Sequence, residues 1–260
     1  MKKKLERIIC LLFVLTVVFL NGCKKQSEIS PSLERIKSKG AIMLDDSLGS
    51  KKIKWPQSHG IKIAFMNGTK EQHDFVKKYA KVWDSLINLS FIYQDSLSGS
   101  EIRIKFDPNN KSGNSAIGYN ANISIDSTRK TMTLYGALGT PKNAGVFAIA
   151  TVRHEFGHML GLSHEQLRSD GLVSWDDNMN IGGRKTNVID SIAISKYLNT
   201  PYDIHSIMHY GIPADKTKNS VQIISYTYSG ELSQSDKDFI QKVYPKIPEQ
   251  IKVNNILTKK

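Results

Sequence analysis

The sequence predicts an α+β fold of two lobes: a twisted N-terminal sheet carrying two long helices, then an irregular C-terminal lobe. Three observations lead there. Short apolar runs separated by Asn/Gly/Ser-rich turns fill much of residues 61–135. Two segments repeat apolar residues at helical spacing, and beyond Gly161 the periodicity fades. Of the 260 residues, 40% are hydrophobic and 23% charged, an ordinary balance for a globular protein with one substantial core.

Taken in order, Trp55-Pro56 opens the folded region and Ile61–Met66 alternates as a strand. Phe75, Val76, Tyr79, Val82, Trp83, Leu86 and Ile87 form a helical stripe from about Thr69 to Asn88, its aromatic members read as core. Leu89–Tyr93, Glu101–Phe106, Ala121–Ile125 and Thr131–Tyr135 read as strands. Asn143–Leu160 is the second long helix, apolar through Val146, Phe147, Ile149, Ala150 and Val152. Short helices are expected near Val188–Leu198 and Ser235–Tyr244. No internal repeat or low-complexity block interrupts this order.

The N-terminus has another composition. Met1-Lys2-Lys3-Lys4 leads into an apolar run from Ile8 to Leu20, too short for a comfortable membrane span and suited to an export signal over residues 1–22. Leu20-Asn21-Gly22-Cys23 resembles a bacterial lipobox, which implies cleavage before Cys23 and lipidation of its thiol. The expectation is an exported lipoprotein, held at the outer membrane or cell surface. Cys10 falls inside the signal, so no thiol is left for a disulfide. Residues 23–51 are polar and mixed, a tether of roughly 30 Å reach if flexible or a removable pro-segment. Residues 52–247 form the domain and 248–260 a C-terminal tail.

Net charge is +12, falling to +9 once residues 1–22, with four Lys/Arg and one Glu, are removed. The lysines are scattered rather than clustered with aromatics, which points to a solvated basic surface and away from nucleic acid. No Asp/Asn/Gly loop of EF-hand type supports calcium. No Gly-x-Ser-x-Gly supports a serine nucleophile.

The chemistry is concentrated in His154-Glu155-Phe156-Gly157-His158-Met159-Leu160-Gly161-Leu162-Ser163-His164-Glu165. His154 and His158 are four apart, on one helix face about 6 Å apart in rise. Two neutral imidazoles so placed can bind one Zn²⁺, with Glu155 between them directed into the same cleft. Gly161 can take positive φ and end the helix, so that His164 arrives as a third ligand. Three ligands leave a position for water, as in catalytic rather than structural zinc sites.

This extended motif, followed by Ser206-Ile207-Met208-His209-Tyr210, resembles the metzincin metallopeptidases. Glu165 directly after the third histidine and Tyr210 two residues after the methionine are similar to the astacin family. The likeness continues in His164-Glu165-Gln166-Leu167-Arg168-Ser169-Asp170, Pro201-Tyr202-Asp203 and Leu232-Ser233-x-x-Asp236 running to Val243-Tyr244, over roughly residues 52–245. The resemblance implies a metzincin fold with zinc held by His154, His158 and His164 between two lobes. It implies an endopeptidase that cuts internal bonds of protein or peptide substrates. Zinc would bring its bound water to a pKa of about 7, with Glu155 as general base. Tyr210 would contact zinc and then stabilise the oxyanion, and Met208 would form the floor beneath the metal.

His209 reads as a hydrogen-bonded structural residue; His59, His73 and His205 read as structural or exposed. Arg168, Asp170 and Asp203 are expected to fix loops. In astacins the residue after the third histidine meets the freed N-terminus of the processed enzyme. Here either residues 24 to about 50 are removed, with Asp45 or Asp46 masking the zinc beforehand, or Glu165 pairs with an internal cation. The chain is expected to be a monomer. The alternative function is a membrane-anchored module that keeps zinc for structure and has no peptidase activity.

Overall fold

In the computed structural model, the described residues are 42–44, 53–119, 126–168, 170–173, 197–199, 201–218, 220–224 and 229–247. Five strands build the main sheet: β2 (Gly60–Phe65), β3 (Ser90–Gln94), β4 (Ile102–Asp107), β5 (Asn114–Ser115) and β6 (Met132–Tyr135). Their spatial order is β3-β2-β4-β6-β5, with β3, β2, β4 and β6 mutually parallel and β5 antiparallel at one end. The predicted strands at 61–66, 89–93, 101–106 and 131–135 lie within a residue of these. The one at 121–125 falls outside the described residues.

Helix α1 (Lys70–Asp84) starts at a capping box, in which Thr69 and Gln72 satisfy each other's backbone N–H. Of the predicted stripe, Phe75, Val76 and Trp83 are buried in the helix, Tyr79 and Val82 are half-buried, Ala80 joins them, and the helix stops at Asp84 rather than Asn88. There the Leu86 N–H turns back to the Trp83 carbonyl and the chain heads into β3. Helix α2 (Val146–Met159) is buried from Ala150 through Met159 on every side, so it runs through the core rather than over it. Trp83 of α1 donates its indole N–H to the Arg153 carbonyl of α2 at 2.9 Å.

The end of α2 is held by residues from both ends of the domain. The Trp55 indole donates to the Met159 carbonyl at 2.8 Å, and Tyr244 Oη donates to the Leu160 carbonyl at 2.9 Å. These bonds satisfy carbonyls that a helix C-terminus otherwise leaves open. Gly161 follows with φ of +106°, where a Cβ would sit 2.9 Å from Ile53 Cγ2 and 3.0 Å from Met43 Cε. A side chain is excluded by conformation and by space alike.

Residues 23–51, expected as tether or pro-segment, contribute a strand. β1 (Ile42–Leu44) pairs antiparallel with β7 (Tyr197–Asn199), and Met43 is fully buried and bridges to Leu162. Ordered structure thus begins before residue 52, and residues 38–260 form one compact unit. The helix expected near 188–198 lies mostly outside the described residues, and Tyr197–Leu198 at its end are strand. The last helix, α3 (Gln234–Val243), has its own capping box of Ser233 and Asp236. Among the described residues, no helix is long and apolar enough to cross a membrane.

Candidate metal centre

His154 and His158 leave the last two turns of α2, and His164 follows the Gly161 turn just before a 3₁₀ turn at Glu165–Leu167. The three side chains converge, each offering a ring nitrogen within 4.8 Å of the others. Nε2 of His164 lies 3.2 Å from Nε2 of His154 and 3.0 Å from Nε2 of His158. Both partner rings already use Nδ1: His154 donates to the Ile207 carbonyl and His158 to the Leu162 carbonyl, each at 2.8 Å. A neutral imidazole that donates from Nδ1 has only a lone pair at Nε2.

Burial lowers the basicity of all three rings, with their mutual proximity adding to it at His154 and His164. His154 is pushed well below its ordinary value, His158 to about 4 and His164 to about 2. Near neutral pH the rings therefore hold no extra proton, and the Nε2 lone pairs of His154 and His158 face His164 Nε2 at 3.2 and 3.0 Å. Three imidazoles at this spacing fit tetrahedral zinc, and the carbonyls behind His154 and His158 fix tautomer and ring orientation.

Glu155 is buried beside them, packed on Gly113, and its Oε2 has no hydrogen-bond partner among the described residues. Burial raises its carboxyl to about 8; a cation among the histidines would draw that value down again. Tyr210 lies against the triad, its ring centroid 4.6 Å from that of His164 and 5.7 Å from that of His154. Burial, then the Glu155 charge, raises its phenol to about 12, which keeps the hydroxyl protonated as a donor. Met208 is fully buried beneath: its Sδ lies only 2.5 Å from where a Cβ on Gly157 would be.

The turn around Met208 is tied down from several directions. The Glu165 N–H donates to the Met208 carbonyl at 3.1 Å, and the Tyr210 N–H donates to Gln166 Oε1 at 3.1 Å. Tyr202 Oη donates to Nε2 of His209, whose Nδ1 donates to the Tyr210 carbonyl. His209 is the structural histidine the sequence suggested. Asp236 joins in from α3 and accepts from Ser206 Oγ and the Ile207 N–H. Burial raises its carboxyl to about 6 against those bonds.

Glu165 meets an internal cation: Arg168 Nη1 lies 3.4 Å from its Oε1, which also accepts the Asp203 N–H at 3.0 Å. Burial raises Glu165 to about 8 while Arg168 and the Asp203 amide pull the other way. Arg168 holds Asp170 through two bonds, 2.9 and 2.7 Å, so these residues fix the loop as expected. His59 pairs with Glu101, His73 stacks on Phe65 and His205 is exposed; none approaches the triad. Sequence reasoning missed Trp55, Gln166 and the backbone carbonyls of Leu162 and Ile207. Carbonyls carry no signal in sequence. The Ser-x-x-Asp pattern at 233–236 was visible, but not what Asp236 holds.

Two imidazoles and a carboxylate on one helix, a third imidazole across a glycine turn and a methionine beneath define a mononuclear zinc centre of the metzincin kind. Residues 49–245 match the family model of the Astacin peptidases, and the chain belongs to that family. Meprin A subunit beta of Homo sapiens is 43% identical over 82 residues, which are 30% of this chain and 11% of that protein. High choriolytic enzyme 1 of Oryzias latipes is 41% identical over 64 residues, 23% of this chain and 22% of that protein. The chain thus spans a small part of the length of these relatives. The solved structure of myroilysin is similar over 75% of this chain and 97% of its own, with TM-score 0.65 and 28% identity. That of the medaka choriolytic enzyme shares the fold at TM-score 0.51 and 19% identity, over 75% of this chain and 96% of its own.

Proposed function

We propose that this protein is a zinc endopeptidase that hydrolyses internal bonds of protein or peptide substrates, and that it is carried on a membrane by lipid at Cys23. The convergence of three neutral imidazoles at Nε2 beside the unpartnered Glu155 oxygen carries the catalytic reading. Bound there, zinc supplies Lewis acidity toward the scissile carbonyl and makes water a nucleophile near neutral pH. Glu155 takes the proton from that water and returns it to the leaving amine. The Tyr210 hydroxyl donates to the charge developing on the carbonyl oxygen.

Among the described residues β5 is the end strand of the sheet, and Gly113 just before it touches Glu155. An extended substrate can add to that edge as a further strand, which brings its backbone past the catalytic carboxylate. The pairing of Glu165 with Arg168 supports an active enzyme that needs no freed N-terminus. Mass analysis of the N-terminus in active, membrane-bound protein checks this, and a start at Cys23 rules out obligatory pro-segment removal. Detergent partitioning of the wild type against Cys23→Ser checks the anchor, which is refuted if both partition alike.

The activity is tested on a proteome-derived peptide mixture read by mass spectrometry, with Glu155→Ala and a chelator as controls. Cleavage lost in both controls is expected, with the rate falling by at least about 10²-fold in the variant. No cleavage by folded, zinc-loaded protein, including a form that starts near Ser38 and so keeps β1, would favour the module without peptidase activity.

A further inference from the structure

Asp236 sits in the first turn of α3, far from the triad in sequence, yet its three hydrogen bonds reach into the centre. Oδ2 accepts the Ser233 N–H at 2.9 Å, the expected bond of a helix cap, and also the Ile207 N–H at 2.8 Å. Oδ1 accepts from Ser206 Oγ at 2.7 Å, and that same Oγ accepts the Met208 N–H at 3.0 Å. The Ile207 carbonyl then accepts from His154 Nδ1 at 2.8 Å. Asp236, Ser206, Ile207 and His154 are all at most 1% exposed.

We propose that Asp236 is a positioning residue for the metal centre, holding the Ser206-Ile207 backbone so that its carbonyl fixes the tautomer and ring plane of His154. A cap alone needs one oxygen on one N–H. Two of the three bonds go instead to a turn about thirty residues away, and capping boxes use Glu or Gln at this position. The shorter aspartate is buried where only the turn and the cap can satisfy it. Peptide 206–207 is thereby held on both sides, by Asp236 at its N–H and by His154 at the next carbonyl. Outer partners of metal-binding histidines commonly contribute 10–100-fold in metal affinity.

The inference rests on the zinc reading, and the test separates the two. Asp236→Asn, Ser206→Ala and the cap control Ser233→Ala would be compared with the wild-type chain. Zinc affinity would come from chelator competition, ligand geometry from the visible spectrum of the Co²⁺-loaded protein, and the His154 tautomer from ¹⁵N NMR of the metal-free protein. Asp236→Asn is expected to lose about 10–100-fold in zinc affinity, change the Co²⁺ spectrum and let the second His154 tautomer appear. Ser206→Ala should do the same to a lesser degree and serves if Asp236→Asn does not fold. Ser233→Ala should lower thermal stability yet leave all three readouts at wild-type values. If Asp236→Asn and Ser206→Ala resemble Ser233→Ala, Asp236 is only a cap. Wild-type protein that binds no zinc would sink the metal reading, while the tautomer comparison still decides the role of Asp236.

Discussion

Gly157 lies between the two helical zinc ligands, where replacing glycine by alanine sets two effects against each other. In a helix interior, Gly→Ala ordinarily stabilises by about 0.5–1 kcal/mol, because alanine has less backbone freedom to lose. Here the new Cβ would stand 2.5 Å from Met208 Sδ, 3.4 Å from Trp83 Cζ2 and 3.5 Å from Leu162 Cδ1. Met208 and Trp83 are fully buried, so the sulfur must move by about 1 Å into packed neighbours to restore van der Waals contact. Overpacking of that kind costs about 1–3 kcal/mol, which outweighs the helix gain. The net expectation is a loss of about 1–2 kcal/mol. For a domain of this size that is a Tm about 2–8 °C lower, measured on metal-free protein by urea and thermal unfolding. Combining Gly157→Ala with Met208→Ala should recover at least about 1 kcal/mol relative to the sum of the single changes. A Gly157→Ala variant with raised Tm, or a double variant that is simply additive, would refute the close-packing argument.

Other perturbations probe separate parts of the site. Tyr210→Phe should lower kcat by about 10²–10³-fold with KM and zinc content little changed, as for loss of one oxyanion donor; unchanged kcat in peptide kinetics removes Tyr210 from that role. Arg168→Ala removes the cation beside buried Glu165 and should destabilise the fold, more above about pH 8, where that carboxyl is ionised, than at neutral pH, and Glu165→Gln in the same background should restore part of the loss. Urea unfolding shows whether it does. Asp236 has its folded-state pKa raised by burial to about 6, so its contribution is full below about pH 4 and lost as pH rises toward 6. Across that window, metal-free wild type should lose up to about 1.4 kcal/mol per pH unit relative to Asp236→Asn. A difference of the opposite sign contradicts the buried placement of that carboxyl.

Much of this was legible in sequence because short-range rules govern it. The i, i+4 histidines, the glycine after them and the alternating strands each follow from local geometry, and the structure places them as the spacing requires. Helix ends were less legible. α2 starts at Val146 rather than Asn143, and α1 stops short of Asn88, whose N–H donates instead to the Tyr244 carbonyl, a long-range contact invisible in a local window. The same holds for β1: Ile42-Met43-Leu44 is three apolar residues in a polar stretch, too short to announce a strand without its distant partner at 197–199. At the site, the ligands could be read but not their supports. Ile207 and Leu162 act through backbone carbonyls, which every residue carries.

The pairing of β1 with β7 has a consequence for the lipid anchor proposed at Cys23. A protease that cut between Cys23 and Ile42 would separate the domain from the lipid proposed at Cys23 and leave β1, Met43 and the histidine triad untouched. A cut beyond Leu44 would instead strip the strand whose Met43 packs at Gly161 and bridges to Leu162, the residue that holds His158. Shedding and inactivation are thus set apart by only a few residues along the chain, and the anchored and shed forms would share one metal centre.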